Sequence, residues 1–163
     1  MHRTKLQNFV LIKANIDYIK EVYDLSNSRE VRENSLNSAA IPWDVHVQWY
    51  NSKIKASPEN LFLIITNAAG EFLGQVRFQA TSQEEAIISI SLSEKARGRS
   101  LAAEILKAAS QMYISENAKK RTILAQISKD NIPSLKSFSK AAFVYDSDFE
   151  LNDKQYILMK KVI

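Results

Sequence analysis

The sequence predicts one mixed α/β (α+β) domain over residues 1–163, and three observations carry that reading. Short apolar or alternating runs bounded by turn residues interleave with stretches of helical period. One alternating run, ending at Leu92, passes through a basic one-glycine turn into an apolar stripe of Leu101, Ile105, Leu106, Ala109, Met112 and Tyr113. No internal repeat or low-complexity linker divides the 163 residues, a length usual for a single domain.

Taken in order, Asn8 to Lys13 reads as a first strand from its Phe-Val-Leu-Ile run. Asp17 can cap a helix to about Asn27, with Ile19, Val22 and Tyr23 inward. Arg29 to Ala40 is polar, lacks a clear period and reads as irregular. Pro42 suits the first turn of a second helix, on which Trp43, Val47, Tyr50 and Ile54 form the expected core stripe, with His46, Trp49 and Lys53 beside it. Strands follow at Leu61–Thr66, Phe72–Gln79 and Glu85–Leu92, separated by turns at 68–71 and 81–84. After the helix from Ser100 to about Asn117 comes a strand at Arg121–Ile127, expected to lie parallel to the one before the helix, because a crossover helix joins them. A short helix at Asn131–Lys140 and two strands, Phe143–Phe149 and Gln155–Lys161, close the chain through Asn152-Asp153.

Composition narrows the function. With 45% hydrophobic and 25% charged residues the chain has an ordinary soluble composition, and no apolar run approaches a membrane span. It has no cysteine, which removes disulfides, thiolate metal sites and thiol nucleophiles; no metal is expected, and the cytoplasm is the expected compartment. The net charge of +4 is uneven: residues 1–94 hold nine Lys/Arg and eleven Asp/Glu, residues 95–163 thirteen and seven. A basic second half favours an anionic ligand. The cations are dispersed and no nucleic-acid-binding motif is present, so a small phosphorylated ligand is expected rather than DNA or RNA.

The basic turn is the sharpest feature. A helix start presents unpaired N–H groups and the positive end of the peptide dipoles, so the turn before Leu101 is built to hold an anion, with Arg97 and Arg99 adding charge.

In that setting Arg97-Gly98-Arg99-Ser100-Leu101-Ala102 resembles the acetyl-CoA loop, Gln/Arg-x-x-Gly-x-Gly/Ala, of the GNAT N-acetyltransferase superfamily, with Ser100 in place of the middle glycine. Downstream, Asn131, Ser134, Phe138, Lys140, Ala142 and Phe143 resemble the family's Asn-x-x-Ala/Ser-x-x-x-Tyr-x-Lys-x-Gly-Phe helix. The resemblance covers essentially the whole chain. It implies a mostly antiparallel central sheet of about six to seven strands flanked by about four helices, with acetyl-CoA as acetyl donor. Backbone groups of Ile90, Ser91 and Leu92 would pair with the pantetheine arm, N–H groups from Gly98, Arg99, Ser100, Leu101, Ala102 and Ala103 would hold the pyrophosphate, and Asn131 would contact the pantetheine end.

The implied reaction moves an acetyl group from a thioester to a primary amine, with an N–H near Leu92 stabilising the carbonyl oxygen as it gains charge. Many members protonate the leaving thiolate with a tyrosine where this chain has Phe138, whose ring donates no proton; water, Ser137 or Tyr145 are the substitutes. Releasing an unprotonated thiolate of pKa about 8.5 costs roughly 2 kcal/mol at pH 7, a tolerable loss. For the base, some relatives use a carboxylate on the strand before the loop, here Glu84 or Glu85; others use a glutamate at the position of Gln126, which cannot serve. His46, with an unperturbed pKa near neutrality, is the other candidate.

Val31-Arg32-Glu33-Asn34-Ser35, Ile41 through Tyr50 and Gly74-Gln75-Val76-Arg77-Phe78 resemble the branch acting on nucleotide-linked 4-amino sugars in pseudaminic-acid-type pathways. That likeness makes Arg32 and Arg77 candidate diphosphate anchors; Trp49, on the helical stripe of His46, is a candidate cleft wall because aromatics often form the apolar side of a pocket. The expected partners are a small-molecule amine, which the branch likeness implies is a sugar nucleotide, and a second copy of the chain in a homodimer; no membrane partner is expected. Acetylation of a protein N-terminus, and a non-catalytic acyl-CoA sensor suggested by Phe138 and Gln126, are the alternatives.

Overall fold

A computed structural model describes residues 8–55, 58–97 and 101–163. Seven strands form one sheet in the order β1-β2-β3-β4-β5-β7-β6: β1 (Val10–Lys13), β2 (Phe62–Thr66), β3 (Phe72–Ala80), β4 (Glu85–Leu92), β5 (Thr122–Ser128), β6 (Val144–Leu151) and β7 (Lys154–Val162). All neighbours are antiparallel except β4 and β5. That pair runs parallel because the helix α4 (Leu101–Glu116) carries the chain back between them. The mixed α/β architecture and the mostly antiparallel sheet are as the sequence leads one to expect.

The sheet buries both faces. On one, Val76, Phe78, Ile88, Ile123 and Ala125 pack against Ile105, Leu106, Ala109 and Tyr113 of α4 and against Phe138 of α5 (Ile132–Lys140). Phe78 and Tyr113 stack at 4.2 Å between ring centres. On the other, here called the front, Phe62 and Ile64 meet Val22 of α1 (Ile19–Ser26) and Tyr50 of α3 (Trp43–Ile54). Strand β2 lies between both clusters and is buried at every residue, which explains its unbroken apolar run.

Two expectations are corrected here. Arg29–Asn34, expected to be irregular, forms a short helix, α2, making five α-helices where about four were expected. It has no buried residue; the Arg32 guanidinium secures it by donating to the carbonyls of Ser26 (2.7 Å), Asn37 (2.8 Å) and Ala39 (3.1 Å). Trp43, expected in the core, is 44% exposed, while His46 and Tyr50 are buried. The inner face of α3 thus lies between the two stripes: Tyr50 and Ile54 of the expected one and His46 and Trp49 of its neighbour turn inward.

His46 Nε2 lies 2.9 Å from the Ile19 carbonyl, which only accepts, so that nitrogen carries the hydrogen. Rings of Tyr23, Trp43, Trp49 and Tyr50 surround the imidazole within 6 Å. Burial lowers its pKa, against a smaller opposing effect of the Ile19 hydrogen bond.

Asn152 and Asp153 both adopt left-handed dihedrals, the two-residue turn that suits a twisted hairpin between β6 and β7. Ala142, following α5, also has a positive φ of 70°, at the place where the resembling motif carries glycine. A Cβ in this conformation costs roughly 1 kcal/mol.

Two stability effects follow. Ala142→Gly should raise stability by ~1 kcal/mol and the melting midpoint by about 3 °C in calorimetry. A histidine whose folded pKa is depressed favours folding fully above its ordinary value of 6.5 and loses that contribution as pH falls below it, because only the unfolded chain takes up the proton. Urea midpoints should therefore drop between about pH 7 and 5 in the wild type and drop less in His46→Gln, which keeps a donor for Ile19 without titrating.

Candidate functional site

The parallel pairing of β4 with β5 extends over only three registers, Glu85 with Thr122, Ala86 with Ile123 and Ile87 with Leu124. Beyond Ile87 the two strands part. Strand β4 stays on β3 as far as Leu92 opposite Gly74, and β5 stays on β7 as far as Ser128 opposite Tyr156. The split is therefore bounded by two strands that are each anchored on their far side.

Backbone alternation determines what faces the split. Ser93 N–H donates to the Leu73 carbonyl at 2.7 Å, so the odd-numbered residues of β4 hydrogen-bond to β3 and the even-numbered ones, Ile90 and Leu92, turn their polar groups toward β5. On β5, Lys129 N–H donates to the Gln155 carbonyl, which by the same alternation turns Gln126 toward the split. Ser91 was expected to contribute its backbone with Ile90 and Leu92; that backbone is committed to Gln75 across β3. Gly74 explains how β4 stays so close to β3: a Cβ there would lie 2.2 Å from the Ser91 carbonyl oxygen and 3.0 Å from Leu92 Cα.

Helix α4 starts where β4 ends. Leu101, Ala102 and Ala103 form its first turn, whose N–H groups have no acceptor four residues back within the helix. Gly98, Arg99 and Ser100 lie outside the described residues. Arg97, expected to add charge to the turn, sends its guanidinium the other way: Nε donates to the Leu92 carbonyl at 3.0 Å, and Nη1 pairs with Glu30 of α2. Asn131 caps α5, its Oδ1 accepting from Ser134 N–H at 3.3 Å, which leaves its Nδ2 as a donor.

The front face beside the split is polar. Gln75 and Arg77 of β3 sit opposite Ser91 and Ser89 of β4, with the exposed Gln126 on β5. Gln75 is buried; its Nε2 donates to Ser26 Oγ at 3.5 Å, and its Oε1 has no partner among the described residues. Arg77 lies over the Trp49 indole, 4.7 Å from the ring centre. Burial, with a smaller contribution from the Arg32 charge, pulls its pKa down to about 10. The β6–β7 hairpin reaches across to the α2–α3 connection: Lys154 Nζ, Asn152 Nδ2 and the Tyr156 hydroxyl donate to the carbonyls of Glu33, Leu36 and Ser35 at 3.1, 3.5 and 3.4 Å.

The structure thus brings Ile90, Leu92, Leu101, Ala102 and Ala103 to one end of the sheet, with Arg77 and Trp49 on the front. It does not bring the two expected bases there. Glu85 begins β4, about 23 Å along the strand from Leu92, and accepts from the Thr81 hydroxyl at 3.1 Å. His46 is buried under α1. Arg32 spends its guanidinium on the loop it clamps, with Nη2 also donating to Ser35 Oγ at 3.3 Å. Phe138 is in the core, edge-on to Phe143. Of the substitute acids, Ser137 donates to the Pro133 carbonyl at 2.9 Å and Tyr145 to Asp148 at 2.9 Å, an interaction that raises the phenol pKa. The Glu30–Arg97 pair escaped the sequence reading because a strand and a helix far apart in the chain had to be placed first.

Residues 8–144 match the family model described as an acetyltransferase (GNAT) domain. A spermidine N-acetyltransferase from Vibrio cholerae, in complex with CoA and spermine, superposes with a TM-score of 0.85 at 14% identity over 95% of each chain. The aminoglycoside acetyltransferase AAC(6′)-Ib, in complex with coenzyme A, superposes with a TM-score of 0.77 at 16% identity over 94% of each chain. No curated protein matches the sequence significantly. At these identities the solved structures speak for the fold, and the family match, which runs from β1 to the start of β6 and takes in the parted strands and both flanking helices, shows that the chain belongs to the GNAT family of acetyl-CoA-dependent N-acetyltransferases.

Proposed function

We propose that the chain acetylates a primary amine on an anionic small molecule, with a nucleotide-linked amino sugar as the acceptor class. The observation that carries this is the charge of the front face. Across β3, β4 and β5 the sole carboxylate is Glu85, at the far end from the split, whereas Arg77 forms no ion pair among the described residues and Arg32 lies near enough to lower its pKa. Such a face attracts an acceptor carrying negative charge and repels a polycation.

Acetyl-CoA supplies an activated acyl group whose carbonyl gains negative charge as the amine adds. The chain's own residues fit this donor. Ile90 and Leu92 offer a strand edge to an extended amide-bearing arm, the first turn of α4 offers N–H groups to its phosphates, and Asn131 Nδ2 is a further donor at the neighbouring helix start. The Leu92 N–H, fixed in the sheet, is the group suited to stabilise the developing oxyanion. Glu30, the carboxylate held beside Leu92, is neutralised by Arg97, so no strong base adjoins the split among the described residues. The amine therefore enters in its neutral form, having lost its proton to solvent.

The test is release of free thiol from acetyl-CoA with three acceptors: a uridine-diphosphate 4-amino sugar, spermidine and a ribosomal-type N-terminal peptide. The sugar nucleotide should be preferred, with kcat/KM rising about tenfold per pH unit up to the amine's own pKa. Faster turnover of spermidine or of the peptide refutes the acceptor class. Coenzyme A binding with no transfer to any of them marks the protein as a sensor.

A further inference from the structure

A small cleft of about 60 Å³ opens on the front face, lined among others by Lys53, Asn60, Arg77, Gln79, Ile87 and Ser89. It draws on four separate elements: the last turn of α3, the segment before β2, and strands β3 and β4. None of its lining residues is acidic. Neither Lys53 nor Arg77 forms an ion pair among the described residues, although eight other Lys or Arg side chains do. Asn60 Oδ1 accepts from Ala80 N–H at 3.0 Å, which leaves its Nδ2 as a donor, and the Ser89 hydroxyl is exposed.

This arrangement is costly without a counter-ion. Burial already pulls the Arg77 pKa down to about 10, and the Trp49 ring beside the guanidinium does not neutralise it. A planar donor fork that lies against an aromatic ring and lines a cleft suits a bidentate oxyanion, and Lys53 supplies a second charge. The cleft is open to solvent on one side and has room for a phosphate-sized group.

We propose that the cleft between Lys53, Asn60, Arg77 and Ser89 is an anion subsite that takes a phosphate group of the acceptor and so sets the distance between that phosphate and the acetylated amine. Ser89 stands three residues before Leu92 on β4, about 10 Å along the strand. An acceptor with its amine at the split and a phosphate about one sugar ring away spans that length. The distance rests on acetyl transfer at Leu92; the anion site itself does not.

Calorimetric titration with inorganic pyrophosphate, in protein saturated with coenzyme A so that the donor's own phosphate site is filled, separates the two. Saturable pyrophosphate binding is expected, weakened about tenfold or more by Arg77→Gln and by Lys53→Gln, and unchanged by Lys136→Gln, which removes an exposed charge from α5. Lys53 lies near the end of α3, so its variant keeps the test alive if Arg77→Gln does not fold. Absence of pyrophosphate binding, or equal affinity in all variants, overturns the subsite. Failure of coenzyme A to bind in the preceding titration instead overturns the acetyl-transfer reading, and pyrophosphate titrated into that protein still decides the subsite.

Discussion

The parting of β4 from β5 after three paired residues is the constraint on which the remaining features depend. Two parallel strands in a seven-stranded sheet would ordinarily continue as partners. Here each is held more firmly on its other side: β4 to β3 over seven registers, with Gly74 permitting backbone contact at Ser91 and Leu92, and β5 to β7 over seven more. Beneath them α4 and α5 fill the back face with one continuous apolar cluster. The parted backbone edges, whose Leu92 carbonyl is engaged by Arg97, are therefore supported on every side except the one they present.

The groups that face the split are backbone groups of Ile90, Leu92 and Gln126 and of the first turn of α4, and almost any side chain can accompany them. Side chains matter on the front, the face proposed to hold the acceptor. The Arg97–Glu30 pair ties α2 to the end of β4, and the β6–β7 hairpin ties itself to the segment after α2. The wall of the proposed acceptor cleft is thereby fastened at both ends, with Arg77 among its cations.

Much of this was legible in the sequence. The strands, the stripe of α4, the helix from Asn131, the Asn152-Asp153 turn and the parallel crossover rest on local periodicity and turn chemistry, which short windows capture. Helix α2 was not, because it is secured by the side chain of Arg32 and not by an apolar period. Trp43 was misassigned to the core because it outweighs His46 on any hydrophobic scale, yet the histidine is buried with a carbonyl partner in α1. Glu85 looked near the loop in sequence; strand geometry puts it at the opposite end of the sheet. The cleft beside Lys53 draws on four elements and has no local signal at all.

Amide hydrogen exchange along β4, with and without coenzyme A, tests the split most directly. If an extended arm pairs with the parted edge, the amides of Ile90 and Leu92 gain protection on binding while Ser89 and Ser91, already bonded to β3, change little. Binding that leaves Ile90 and Leu92 unprotected, or protects only residues remote from the split, contradicts the account.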